Sequence, residues 1–135
     1  MTRRLSEFAG VADLQVVRDG GFARTGKLST PLDDLCVPLR SLAYANEVNA
    51  NTRIAAVITR PDIAERLDDR LAVATAPDPD AAHSEIHAAL AEQRDRELRR
   101  QPTRIDATAH IDPTSRIADY GVVVGPRCHI GPHCY

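Results

Sequence analysis

The chain has 135 residues and a net charge of −2, which gives no reason to expect nucleic acid or an anionic membrane surface as a partner, and its longest purely aliphatic run, Ile54-Ala-Ala-Val-Ile58, is far too short to span a bilayer. Its 43% hydrophobic content includes no Trp and few aromatics, so the core is expected to be aliphatic and alanine-rich. Three cysteines, an odd number, point to a reducing cytoplasm rather than a disulfide framework, and the Met1-Thr-Arg-Arg-Leu-Ser-Glu start has no apolar stretch like a signal peptide's.

In chain order, Gly10-Val-Ala-Asp-Leu-Gln-Val-Val17 predicts a strand, with a turn at Asp19-Gly-Gly21 and a second strand over 22–28. Leu35-Cys-Val-Pro-Leu39 predicts a short strand that Pro38 would place at a sheet edge. Ser41 is positioned to cap a helix over 42–48, which Asn49-Ala-Asn51 would stop. Ile54-Ala-Ala-Val-Ile58 predicts a buried strand, and Pro61 opens a short helix pairing Ile63 with Leu67. Leu71-Ala-Val-Ala-Thr75 predicts another buried strand. Asp78-Pro79 then starts the longest helix, with Ala82, Ile86, Ala89 and Leu90 along one face. Strands alternating with helices imply an α/β domain over residues 1–100, a mixed sheet with flanking helices. Residues 101–104 form a linker after an arginine-rich helix end.

From Ile105 the rhythm changes to six residues. The first slot holds Ile105, Ile111, Ile117, Val124 and Ile130, with one extra valine before Val124. The fifth slot is always small: Ala109, Ser115, Gly121, Cys128 and Cys134. Neither a helical period nor strand alternation fits. One branched apolar residue per corner, with a small residue four positions later, suits a chain that turns every six residues. The pattern resembles hexapeptide-repeat proteins, whose three-sided coils stack as a left-handed parallel β-helix. Five hexads would make under two coils with no cap, so residues 105–135 are expected to be the truncated start of a longer β-helix.

Several constellations carry chemistry less well. Gly21-Phe-Ala-Arg-Thr-Gly26-Lys27-Leu28-Ser29 nearly matches a phosphate-binding loop, but Leu28 holds the place of the hydroxyl that must reach magnesium, and Pro31 interrupts any helix. A hairpin or loop is the better reading. Cys128-His129-Ile-Gly-Pro-His133-Cys134 looks like a metal cluster, yet the repeat register puts the cysteines in small packing slots and the histidines outward; the resemblance to hexapeptide-repeat proteins leaves open that either histidine lines a groove between subunits. His83 and His87 have metal-compatible spacing without a third ligand, which favours a solvated or partly buried helix face. Asp33-Asp34 and Asp68-Asp69 read as solvated turn charges.

An α/β domain of this size leading into Ile105-Asp-Ala-Thr-Ala-His-Ile-Asp-Pro-Thr-Ser resembles the N-terminal part of the UDP-3-O-acylglucosamine N-acyltransferases of lipid A synthesis. Gly10-Val-Ala-Asp-Leu, Ile54-Ala-Ala-Val-Ile58 and Asp78-Pro79 are further matches. The resemblance implies a nucleotide-sugar-recognising domain ahead of a β-helix, a homotrimer in the full-length protein, and a cytoplasmic enzyme. It also implies acyl transfer from acyl-carrier protein or acyl-CoA to an amino or hydroxyl group of a sugar nucleotide. No cofactor is implied beyond the thioester co-substrate, and no metal. The family holds uracil between aromatics in a Phe-Leu-x-Asn-x-x-Tyr-like segment; here that region is Leu39-Arg-Ser-Leu-Ala-Tyr44-Ala-Asn46, so Tyr44 and Asn46 are the candidate substrate-binding residues, at shifted order and spacing. The family's catalytic histidine lies beyond residue 135, so no catalytic residue is assigned, His110, His129 and His133 are not given that role, and this chain by itself is expected to be inactive. Two other readings of the repeats stay open: a γ-carbonic-anhydrase-like metal enzyme, and a non-catalytic trimerising ligand-binding module.

Overall fold

The computed structural model describes residues 1–135 as a mixed α/β fold with two compact units, Met1–Ala89 and Leu90–Tyr135. The first unit contains β1 (Arg3–Arg4), β2 (Gln15–Arg18), β3 (Gly21–Phe22), β4 (Arg24–Thr25), β5 (Leu35–Pro38), α1 (Ala45–Ala50), β6 (Ile54–Thr59), α2 (Pro61–Ala64) and β7 (Ala72–Thr75). Helix α3 (Pro79–Arg99) runs through the division. The main sheet has the order β2-β7-β6-β5-β4, with β4 to β7 parallel and β2 antiparallel at one edge. No helix is long and apolar enough to cross a membrane.

The aliphatic core forms where sequence patterning places it. β6 is the central strand, and every residue of it but Ala55 is buried. Val48 from α1, Ile63 from α2, and Leu35, Val37, Val57 and Val73 from the strands make one apolar cluster. Pro61 stands in the first turn of α2, where a missing N–H costs no helical bond. Arg70 stitches the layer together: its guanidinium donates to the carbonyls of Val48 (3.1 Å), Asn49 (2.9 Å), Asn51 (2.9 Å) and Ile54 (2.8 Å), which satisfies the end of α1.

Four expectations are corrected. The first strand begins only at Gln15, because Gly10 (φ 89°), Ala12 (φ 47°) and Asp13 (φ 59°) take left-handed backbone angles that no strand accommodates. The segment 22–28 is not one strand: β3 pairs with β1 and β4 with β5, so the chain changes partner at Ala23. β5 is not an edge strand, since β4 lies outside it. Pro38 is tolerated because Leu39 N–H bonds to Ile58 O on the β6 side, so the proline nitrogen faces the opposite side, beyond the end of β4 at Thr25. Finally, α3 buries Pro79, Ala82 and Ile86, but Ala89 is exposed.

The second unit contains the latter part of α3 and β8 (Arg104–Ile105), β9 (His110–Ile111), β10 (Val123–Val124) and β11 (His129–Ile130). β8 pairs with β10 and β9 with β11, both parallel, so Ile105 lies beside Val124 and Ile111 beside Ile130. Like slots meet throughout. The N–H groups of Arg127 and His133 donate to the Thr108 and Thr114 hydroxyls, and that of Cys134 donates to Ser115 Oγ, each across 19 residues. The extra valine lengthens the interval from eighteen to 19. Gly121 (φ 68°) fits a place no side chain could share, since a Cβ there would sit 2.9 Å from Leu98 Cβ.

Candidate functional site

The carboxyl ends of parallel strands are where α/β sheets generally open to ligands, because the chain leaves neighbouring strands in diverging directions there. In the first unit a cleft of about 410 Å³ opens at this edge. Lys27, Leu28 and Ser29 follow the end of β4, and Pro38 ends β5. Tyr44 and Glu47 come from the start of α1, and Asp80 from the first turn of α3.

Local structure places the backbone that carries these side chains. The turn after β4 is closed by Thr30 N–H to Lys27 O and by Lys27 N–H to Thr30 Oγ1, both 3.0 Å. A Cβ on Gly26 would stand 2.8 Å from a Leu35 methyl carbon, so close packing against β5 accounts for that glycine. No helix begins after Gly26-Lys27, so the phosphate-loop resemblance ends at the spelling. Ser41 accepts a hydrogen bond from Ala43 N–H at 3.3 Å and starts the 3₁₀ turn Leu42–Tyr44 that leads into α1. Tyr44, 51% exposed as a residue, lines the cleft.

The charges there differ in how far they are engaged. Asp80 is bound by Arg40 at 2.9 Å. Asp78 caps α3, accepting from the N–H groups of Asp80 and Ala81 at 3.1 Å each. Lys27 is the only lysine in the chain, and its ammonium joins no salt bridge. The cleft thus offers an aromatic face, a hydroxyl, a free ammonium and a free carboxylate on partly apolar walls, a combination suited to a polar aromatic ligand carrying negative charge.

Of the two candidate residues, Tyr44 lines this cleft, whereas Asn46 is exposed on α1 outside it. Lys27 and Glu47 escaped sequence reasoning as site residues. The signals were present: Lys27 is a solitary lysine in a glycine-bounded turn, and Glu47 falls three positions after Tyr44 on one helix face. Two other openings of this unit lack that mixture. One, also of about 410 Å³, is bordered by Asp13, Gln15, Pro61 and Thr75, with no cation or aromatic ring. Another, of about 280 Å³, is bordered by Arg18 and Arg70, whose guanidiniums are already committed to backbone carbonyls.

The remaining chemical candidates serve other contacts. Half-buried His83 bonds through Nε2 to Cys36 O at 3.0 Å, and burial holds its pKa below the ordinary value. His87 Nδ1 meets Thr25 Oγ1 at 2.6 Å, so the two histidines fasten α3 to two different strands. Burial pushes the Cys36 thiol up to about 12, which removes it as a nucleophile. In the second unit the His110 and His129 rings stack with centroids 4.9 Å apart. Hydrogen bonds from Thr108 and Thr114 lower the pKa values of Asp106 and Asp112. Cys128 and Cys134, expected in small packing slots, are exposed. No three His, Cys, Asp or Glu side chains converge as a metal site.

No protein-family model matches the chain, and no curated protein matches it either.

Proposed function

We propose that this chain is the N-terminal part of an acyltransferase that moves an acyl group from a thioester carrier to an amino or hydroxyl group of a sugar nucleotide. In this reading residues 105–135 are the first coils of a left-handed parallel β-helix, which trimerises the full-length protein, and the first unit holds the nucleotide. The observation that carries the reading is the slot-on-slot pairing of the repeat at a constant 19-residue interval directly after an α/β unit. That interval is one three-hexad turn plus the inserted valine, and threonine hydroxyls in equivalent turns accept from the rung above.

The chemistry divides between the two parts. Attack of an amine or hydroxyl on a thioester needs a base that removes the proton and donors that stabilise the tetrahedral oxyanion. None of the histidines in residues 1–135 is assigned that work. The contribution of this chain is to hold the acceptor: Tyr44 supplies a stacking face for the base, and Lys27 supplies the charge that meets a diphosphate.

Isothermal titration of the 135-residue chain with nucleoside diphosphates and their N-acetylhexosamine conjugates tests the proposal. Saturable binding that Tyr44→Ala and Lys27→Ala each weaken is the expected result. Absence of heat and of competition at millimolar ligand would remove the nucleotide-holding role.

A further inference from the structure

Lys27 supplies the positive charge of the cleft, and the two residues before it are gripped from outside their own strand. Thr25 ends β4, and its Oγ1 shares a hydrogen bond with Nδ1 of His87 at 2.6 Å. Gly26 N–H donates to Cys36 O on β5 at 3.0 Å. The same oxygen meets Nε2 of His83, also at 3.0 Å. A carbonyl oxygen has two lone pairs and no proton, so His83 Nε2 carries the hydrogen and Cys36 O accepts from both sides. Two histidines one turn apart on α3 thus converge on Thr25 and on the bond that holds Gly26.

Helix α3 is a firm base for that grip, because Pro79, Ala82 and Ile86 bury its inner face. Asp80, one turn before His83, meets Arg40 and lines the same cleft as Lys27. A lysine ammonium rides on a long, flexible stem, so where its backbone stands decides how much side-chain freedom is lost on pairing with an anion. We infer that His83 and His87 are positioning residues, which hold the end of β4 so that Lys27 stands where the diphosphate of a bound nucleotide lies. Neither histidine lines the cleft itself. The inference rests on the nucleotide-holding role proposed above and adds the residues that set its charged end.

Two readouts on the 135-residue chain test it, one of them without ligand. The first is hydrogen exchange of the Gly26 amide followed by NMR. The double variant His83→Ala with His87→Ala keeps the buried face of α3 and a good helix former at both sites, and should speed that exchange by about tenfold. His83→Gln with His87→Asn returns amide groups near the Nε2 and Nδ1 positions and should restore the protection. The second readout is titration with UDP and with uridine, which lacks the diphosphate. The double alanine variant should weaken UDP by about tenfold and leave uridine unchanged, and the Gln and Asn pair should recover most of the loss. Equal weakening of UDP and uridine, or unaltered Gly26 exchange, overturns the positioning role, since the histidines would then only hold the fold. A Gly26 response in a native chain that binds no UDP overturns the nucleotide-holding role instead and leaves the brace on β4 standing.

Discussion

The two units are stabilised by different means. Every buried apolar side chain but Val124 belongs to residues 1–89, where side chains from two layers fill a common interior. The repeat unit buries little per residue: Ile105 is 47% exposed, and its order comes from backbone pairs and hydroxyl-to-amide bonds repeated at a fixed interval. An α/β unit of this kind is specified by volume and patterning. A repeat is specified by register, and each rung depends on the one beside it.

Substitutions of increasing delicacy can break or sharpen that contrast. The largest effect belongs to the central strand, where Ile58→Ala should destabilise the first unit by about 2–5 kcal/mol in urea unfolding. Ile111→Ala, in a partly exposed slot of the repeat, should cost about 1 kcal/mol or less by the same method. Equal losses would mean that the two units share one mode of packing. Gly121→Ala combines an unfavourable left-handed φ with a clash against Leu98, and should cost about 1–3 kcal/mol, seen as faster hydrogen exchange in β8 to β11. Thr108→Val removes the acceptor for Arg127 N–H and should cost about 0.5–1.5 kcal/mol, confined to the same strands.

The subtlest prediction concerns acid. Burial holds His83 below its ordinary value of 6.5 in the folded chain. The unfolded chain therefore binds the proton first as pH falls, so stability declines below about 6.5 and levels off once the folded form is protonated as well. His83→Gln keeps a donor for Cys36 O and should flatten that part of the stability–pH curve. An unchanged slope would place the acid sensitivity elsewhere.

Legibility in the sequence followed the same division. β6, β7, the opening of α2 at Pro61 and the start of α3 at Asp78-Pro79 stood out because local pattern and burial agree there. The hexads stood out because register is written directly as spacing. Residues 11–13 misled because a β-like composition hides consecutive left-handed angles, which only the surrounding fold imposes. The cleft was legible in one part. Tyr44 was found through a segment resemblance, but Lys27 and Asp80 meet it from separate stretches, and nothing local announces that the end of β4 and the starts of α1 and α3 come together.

The central claim is that this cleft holds a nucleoside diphosphate sugar, and the solitary lysine allows a direct test. Amine-selective acylation has two targets, Lys27 and the α-amine of the 89% exposed Met1, which peptide mass spectrometry distinguishes. With a nucleoside diphosphate sugar at about ten times its Kd, labelling of Lys27 should slow by about tenfold while Met1 reacts as before. Lys27 labelling at an unchanged rate, at concentrations where the same ligand shows heat of binding, would contradict the account by placing the ligand elsewhere.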